Sequence, residues 1–119
     1  MIRTGTDIIE LDRIDRIWRR WPDKFLRRVY TENELTYCFK KGNPLPSLGA
    51  RFAAKEAVIK ALGGHIWRWT DIEIFMVDGR PEVRLFGRAA LAARSQGVSS
   101  AHISMAHCRN YAVAFALVE

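Results

Sequence analysis

Residues 51–63 constrain the fold more than any other stretch of this chain. At about 100° per residue, a helix over this stretch is apolar on two sides, with Phe52 and Ile59 forming the smaller one. The broad side consists of Ala53, Ala54, Ala57, Val58, Ala61 and Leu62. A helix that is apolar on more than one side is normally buried. The sequence therefore predicts a long central helix, which Ser47 caps and the pair Gly63-Gly64 terminates.

Two charged strips, Arg51 with Lys55 and Glu56 with Lys60, interrupt this apolar surface. An unpaired buried carboxylate is costly, so Glu56 should either reach a cleft or be paired. Lys60 follows Glu56 by one helical turn, and one interpretation is an ion pair that stabilises the helix. The alternative is a functional site, because the flanking alanines let a metal ion or a phosphate group approach an acid beside a base.

The sequence predicts a small single α+β domain spanning residues 1–119. A chain of 119 residues can bury a core without disulfides or metals, and no apolar run approaches the ~20 residues of a membrane span. Residues 1–7 lack the apolar region of a signal peptide, so a cytoplasmic location is expected. Cys38 and Cys108 lie far apart without a CxxC spacing, which predicts two buried thiols.

The apolar periodicity predicts further helices and strands around the central helix. Helices are expected at 12–21, 23–30, 31–40 and 87–96. Strands are expected at 1–9, 70–77, 81–85, 101–105 and 111–118. Thr31 and Glu34 match a capping box, and Asp78-Gly79 matches a hairpin turn. We also expect Gly5 to break the first strand, residues 65–69 to form an aromatic loop, and the continuous apolar run at 111–118 to be a central strand.

The positive charge is concentrated between residues 13 and 28, a segment with seven basic and two acidic residues. In the first predicted helix, Arg13, Arg16 and Arg20 fall on one side. Ile14, Ile17, Trp18 and Trp21 recur on the other side. A basic surface of this kind fits an acidic partner, and the candidates are nucleic acid, an anionic membrane surface and an acidic protein. A plain solvated helix face is the remaining alternative.

Asp7 and His107 are the other candidate site residues. Asp7 either caps a turn or serves as a metal ligand, and a lone histidine such as His107 is usually structural. Asp7 and Glu56 together could share a divalent ion beside Lys60. Oxygen ligands favour Mg²⁺, which typically takes one or two carboxylates plus substrate phosphates.

Three segments of the chain resemble the small bacterial holo-acyl-carrier-protein synthases, which are 4'-phosphopantetheinyl transferases. The first runs from Gly5-Thr6-Asp7 to Arg13-Ile14, and the third is His102-Ile103-Ser104-Met105-Ala106-His107 followed by Tyr111-Ala112-Val113-Ala114. The second and most specific is Arg51-Phe52-Ala53-Ala54-Lys55-Glu56-Ala57-Val58-Ile59-Lys60-Ala61-Leu62-Gly63. Two departures from the family pattern occur: Ala106 replaces a usual Ser or Thr, and Gly63-Gly64-His65 replaces a usual Gly-Thr-Gly.

The resemblance implies transfer of the phosphopantetheine arm of coenzyme A to a serine of an apo-acyl carrier protein, with release of adenosine 3',5'-bisphosphate, in support of fatty acid biosynthesis. It implies Mg²⁺ held by Asp7 and Glu56, with Lys60 offsetting phosphate charge. Glu56 would accept the serine proton, directly or through a metal-bound water molecule. Arg51 and His107 would contact the 3'-phosphate of coenzyme A, and Lys55 would add to that positive site.

The family fold implies an antiparallel sheet wrapped by helices, and its bacterial members are commonly homotrimers with active sites between subunits. The carrier protein is acidic, so the side of the first helix that carries Arg13, Arg16 and Arg20 is expected to bind it. No nucleic acid or membrane partner is expected on this interpretation. The alternatives are a non-catalytic basic nucleic-acid-binding module, or a family member that has lost its activity or changed its carrier.

Overall fold

In the computed structural model, which describes residues 1–40, 42–64 and 68–119, one antiparallel sheet packs against a long helix. The strands are β1 (Arg3–Glu10), β2 (Ile72–Val77), β3 (Arg80–Leu85), β4 (Ala101–His107) and β5 (Tyr111–Val118). The helices are α1 (Leu11–Arg20), α2 (Pro22–Val29), α3 (Glu32–Phe39), α4 (Leu45–Ala61) and α5 (Gly87–Ser95), with a 3-10 turn at Trp69–Asp71. The strand order is β1-β5-β4-β3-β2. The small α+β domain predicted from the sequence is confirmed.

The central helix α4 approaches the sheet closely because small residues line both surfaces. The buried residues of β5 that face α4 are Ala112, Ala114, Ala116 and Val118. A Cβ atom on Gly5 would lie 2.0 Å from the carbonyl oxygen of Ala57, so only glycine fits where β1 crosses α4. The expectation that Gly5 breaks the first strand is therefore wrong. Gly5 pairs with Ala116 and β1 continues to Glu10.

The two ends of α4 differ in how well the sequence predicted them. The helix begins at Leu45, so Ser47 lies inside its first turn and does not cap it. Pro44 and Pro46 are compatible with that start because the first turn needs no internal N–H donors. At the other end, Gly63 and Gly64 take positive φ angles of 100° and 80° and terminate the helix as expected.

Several local predictions are confirmed. Thr31 and Glu34 form both hydrogen bonds of a capping box at the start of α3. Asp78 and Gly79, at φ 50° and 77°, connect β2 to β3, and both positive angles suit a tight hairpin turn. The apolar strand β5 lies inside the sheet, between β1 and β4.

Two solvent exposures differ from expectation. Trp21 is about half exposed, because α1 ends at Arg20 and the next helix starts at Pro22. Cys38 is buried as predicted, whereas Cys108 is exposed in the turn between β4 and β5. Of the expected aromatic loop, residues 65–67 lie outside the described residues. Within the described part of the chain, every helix is too short or too polar to cross a membrane.

Candidate active site

Strand β1 and helix α4 bring Asp7 and Lys60 into direct contact. Asp7 lies in the middle of β1, opposite Ala114 of β5, so it does not cap a turn. The ammonium group of Lys60 donates to Asp7 Oδ1 at 3.2 Å and to the carbonyl oxygen of Thr6 at 3.0 Å. The Asp7 side chain is 19% exposed and that of Lys60 is 53% exposed. This ion pair therefore lies at the surface, where an incoming substrate can reach it.

Glu56 completes a cluster with this pair, one turn before Lys60 on α4. Burial raises the pKa of Glu56 above its ordinary value, the Asp7 carboxylate raises it further, and Lys60 and Arg13 lower it. Glu56 thus interacts electrostatically with one further acid and two bases. Among the described residues, the ion pair made by Lys60 is with Asp7. The arrangement therefore favours a functional site over the alternative of a local Glu56–Lys60 helix pair.

The donors in this cluster fit a hard divalent ion that keeps open positions. Within the part of the chain that the structure describes, no group of three or more His, Cys, Asp or Glu side chains is placed to hold a metal. The carboxylates of Asp7 and Glu56 supply two oxygen-donor groups. Mg²⁺ commonly uses one or two carboxylates, with water and substrate phosphate oxygens in its other positions. Together, the two acids suit a metal that a phosphate ligand helps to bind.

Arg51 and His107 line a separate small pocket of about 150 Å³ between α4 and the end of β4. Arg51 is 3% exposed, and its guanidinium lies 4.5 Å from the ring centroid of Tyr37. Its Nη1 donates to the carbonyl oxygen of Ser47 at 3.4 Å, whereas its buried Nε has no hydrogen-bond partner among the described residues. A buried, unsatisfied donor is costly, so this pocket suits an anionic ligand. Ala106 also lines it.

Lys55 does not belong to either of these places. Its side chain is fully buried, and its ammonium donates to Val29 O at 2.6 Å, Glu34 Oε1 at 2.7 Å and Trp69 O at 3.1 Å. Burial lowers the pKa of Lys55, and the Glu34 carboxylate opposes that shift. Three acceptors satisfy all three ammonium protons. The structure thus places Lys55 in buried contacts within the fold, and the coenzyme contact expected from the sequence stays a prediction.

Two buried acids, Glu34 and Glu73, organise this region in a way that the sequence did not predict. Glu34 accepts from Lys55 and from the backbone N–H groups of Thr31 and Ile74. Glu73 is 4% exposed and accepts from the Thr31 hydroxyl at 2.6 Å. The capping-box pattern did identify Glu34, but only as a helix cap. Glu73 lies in the strand predicted at 70–77, and nothing in the strand pattern predicted its burial.

The basic side of α1 lies at the surface as predicted. Arg13, Arg16 and Arg20 are exposed, whereas Ile14 is buried. The guanidinium of Arg20 lies 5.3 Å from the Trp21 ring centroid. This surface, defined by the three arginines and called the docking helix below, adjoins the cluster because Arg13 is electrostatically coupled to Glu56.

Comparison with known proteins extends over the whole chain. Residues 3–116 match the family model of the 4'-phosphopantetheinyl transferase superfamily. The chain is 49% identical to the holo-[acyl-carrier-protein] synthase of Moorella thermoacetica, over 100% of this chain and 94% of the relative. It is 45% identical to that of Chlamydia trachomatis serovar D, over 100% of both chains.

Solved structures agree with the sequence comparison. The holo-[acyl-carrier-protein] synthase of Neisseria meningitidis superposes with a TM-score of 0.92 at 34% identity, over 100% of this chain and 99% of that one. The Helicobacter pylori enzyme in complex with coenzyme A superposes with a TM-score of 0.85 at 29% identity, over 100% of both chains. The Bacillus anthracis enzyme in complex with CoA (3',5'-ADP) superposes with a TM-score of 0.78 at 32% identity, over 98% of this chain and 94% of that one. The chain therefore belongs to the 4'-phosphopantetheinyl transferase superfamily and, within it, to the holo-[acyl-carrier-protein] synthases.

Proposed function

We propose that this protein transfers 4'-phosphopantetheine from coenzyme A to a serine of an apo-acyl carrier protein, releasing adenosine 3',5'-bisphosphate. The observation that carries the proposal is the cluster of Asp7, Glu56 and Lys60 where β1 crosses α4. The test is to mix the protein with coenzyme A, Mg²⁺ and apo-acyl carrier protein and to weigh the carrier. A phosphopantetheine mass gain supports the proposal, and an unmodified carrier contradicts it.

Each residue of the cluster has a role that follows from its surroundings. Phosphoryl transfer depends mainly on positioning and charge neutralisation. Lys60 is half exposed and already held by Asp7 and the Thr6 carbonyl, so its ammonium is oriented before a phosphate arrives. Glu56 accepts the proton of the carrier serine. Its raised pKa suits this role, because a stronger base accepts a proton more readily near neutral pH.

The metal in this proposal is Mg²⁺, held by Asp7 and Glu56. When bound, it supplies positive charge that neutralises the pyrophosphate of coenzyme A. The protein's own contribution is to hold two carboxylates at one edge of the sheet, with Lys60 beside them.

The pocket of Arg51 and His107 is proposed to bind the 3'-phosphate of coenzyme A. The buried Arg51 Nε without a hydrogen-bond partner among the described residues supports this assignment, as does the small size of the pocket. In the family a hydroxyl side chain usually precedes the histidine. Ala106 cannot make that contact, so Arg51 and His107 carry more of the recognition here.

Replacing Arg51 or His107 by Ala should weaken the binding of coenzyme A much more than the binding of 3'-dephospho-coenzyme A. A hydrogen bond to a charged group contributes about 1.5–3 kcal/mol, so the KM for coenzyme A should rise roughly tenfold or more. Comparing two substrates on one variant removes general effects on folding. His102→Ala, an exposed histidine on the same strand, is the matched control. Equal losses for both substrates would rule out the 3'-phosphate contact.

The acidic carrier is proposed to bind the docking helix, with Arg13, Arg16 and Arg20 at the contact. All three are exposed, and Arg13 is the one that interacts electrostatically with Glu56. A carrier bound there would bring its serine next to the general base. The product would serve fatty acid biosynthesis, and the cytoplasmic location expected from the sequence stays a prediction.

A homotrimer is proposed as the working assembly, supported by an apolar outer face of the sheet. On the side of β1 and β5 opposite α4, Ile8 is 65% exposed, Tyr111 45%, Val113 37% and Phe115 45%. Ile8 and Val113 are cross-strand partners, so the four form one patch. Contiguous exposed apolar patches of this kind mark interaction sites.

Light scattering should therefore report three copies of the 13.7 kDa chain, and Val113→Asp with Phe115→Asp should dissociate them. Charges buried at an interface without partners are costly, which is the reason for the expected dissociation. Leu91→Asp on α5, where the side chain is 60% exposed, is the control that should leave the assembly intact. A wild-type protein that is monomeric at micromolar concentration would refute the assignment.

A further inference from the structure

A basic hollow of about 430 Å³ lies between the end of α2 and the 3-10 turn before β2. Its lining consists of Arg27, Arg28, Arg68, Trp69 and Thr70, and it is called the arginine hollow below. The three arginines are exposed, and in the described part of the chain none of them forms an ion pair. Three guanidinium groups around one hollow repel each other unless an anion is bound.

The buried Lys55 ammonium connects the two segments that line the arginine hollow. The Lys55 ammonium donates to Val29 O, next to Arg28, and to Trp69 O, next to Arg68. The Trp69 ring also stacks on Phe52 of α4, with ring centroids 5.0 Å apart. The segments that carry the arginines are thus anchored to the core. The hollow is a built feature of the fold.

The arginine hollow lies near both features that are proposed to act on the carrier, the general base Glu56 and the docking helix. Phe52 and Glu56 are one turn apart on α4, a rise of about 6 Å, so the residue that stacks on Trp69 lies one helical turn from the general base. Arg28 also lines a second hollow, between α1 and α2, together with Ile17, Trp21, Lys24 and Phe25. The Trp21 ring of this second hollow lies 5.3 Å from the Arg20 guanidinium and 5.7 Å from the Lys24 ammonium. Cationic groups therefore continue from Arg20 of the docking helix through Lys24 and Arg28 to the arginine hollow.

We propose that the arginine hollow is a second contact for the carrier protein and receives carboxylate side chains while the docking helix holds the rest of the acidic surface. This inference rests on the proposed function. Guanidinium groups pair well with carboxylates through two parallel hydrogen bonds. Single-stranded nucleic acid would instead need free aromatic faces for base stacking, and Phe52 covers one face of Trp69.

The test is charge reversal of the two arginines that this hollow does not share with the hollow between α1 and α2, Arg27→Glu with Arg68→Glu. Binding is titrated with apo-carrier whose acceptor serine is replaced by alanine, and KM is measured separately for carrier and for coenzyme A. We expect the Kd and KM for carrier to rise roughly tenfold or more, because like charges at an interface are strongly unfavourable. The KM for coenzyme A and kcat should stay within about twofold, since rim charges act mainly on association.

The matched control is Arg88→Glu with Arg94→Glu, an equal charge change on exposed arginines of α5, which should leave carrier binding unchanged. Arg16→Glu with Arg20→Glu is the corresponding variant of the docking helix, and it should also weaken carrier binding. Arg27→Gln with Arg68→Gln, a milder change, should give a smaller rise in Kd and guards against misfolding of the reversed variant.

Several outcomes would overturn the inference. Carrier affinity unchanged in both the Glu and the Gln variants would exclude the hollow from the interface. A selective rise in the KM for coenzyme A would assign the hollow to that substrate. Loss of RNA or DNA binding with unchanged carrier kinetics would assign it to nucleic acid. If the wild type transfers nothing, the proposed function fails; an active wild type with an unaffected variant removes only this second contact.

Discussion

A Glu56→Gln variant should retain its fold and lose roughly 10²- to 10⁴-fold in transfer rate, the usual contribution of a positioned general base. The reason is local. Glutamine keeps the size of Glu56 but can neither accept the serine proton nor contribute a negative charge to a metal. The measurement is the rate of carrier modification at saturating Mg²⁺ and coenzyme A, together with a thermal melt of each protein.

The thermal melt separates catalysis from folding because the sign of the pKa shift is known. Burial and the Asp7 carboxylate raise the pKa of Glu56 in the fold, so its ionised form is disfavoured relative to the unfolded chain. Stability from this group is present at low pH and is lost as the pH rises through the raised pKa. At neutral pH and without metal, Glu56→Gln should therefore melt at the same temperature as the wild type or higher.

Glu32→Gln, which removes an exposed carboxylate in the first turn of α3, is the matched control and should transfer at the wild-type rate. A well-folded Glu56→Gln protein with substantial Mg²⁺-dependent activity would remove Glu56 from the mechanism. A lower melting temperature with normal turnover would instead return Glu56 to a purely structural role.

The sequence predicted the elements that depend on local periodicity and local turns. The central helix, the Thr31–Glu34 capping box and the Asp78-Gly79 hairpin each follow from residues only a few positions apart. The start of α4 was misplaced at Ser47 because a serine is also a common residue inside a first turn. Gly5 was misjudged for a different reason. Its lack of a side chain serves contact with Ala57, 52 positions further along the chain, and no local pattern shows that.

The candidate site was predicted in part for the same reason. Glu56 and Lys60 could be singled out from their helix, but the contact between Lys60 and Asp7 joins residues 53 positions apart. The two lysines of α4 could not be told apart from the sequence. Lys55 is buried and Lys60 exposed because Lys55 faces Glu34 of α3. The sequence did not identify Glu34 as this partner, because the capping box with Thr31 already accounted for Glu34 as a helix cap.

Removing one member of the buried Glu34–Lys55 pair should destabilise the protein severely. Glu34→Ala leaves the fully buried Lys55 ammonium without its counter-ion and also removes the acceptor for the N–H of Ile74. Breaking a buried pair in this way costs about 3–5 kcal/mol. This is a large share of the roughly 5–15 kcal/mol that stabilises a typical domain. The melting temperature should fall by roughly 10–20 °C.

The double-mutant cycle of Glu34→Gln and Lys55→Met isolates the pair itself. Each single change leaves a buried charge without its partner, whereas the double variant contains neither charge. The double variant should therefore be less destabilised than the sum of the singles, by about 1–3 kcal/mol of coupling. Urea unfolding of the four proteins measures this coupling. The corresponding control cycle uses the exposed i,i+4 pair of Asp15 and Arg19, for which the coupling should be below about 1 kcal/mol.

The same variants decide what Lys55 does. If Lys55 is structural, Lys55→Met should lower stability while the ratio of KM values for coenzyme A and 3'-dephospho-coenzyme A stays as in the wild type. That ratio should change only when a residue touching the 3'-phosphate is altered. A Lys55→Met protein with unchanged stability and a selective loss of coenzyme A affinity would restore the coenzyme contact expected from the sequence. It would also mean that the three hydrogen bonds of the Lys55 ammonium contribute little to the fold.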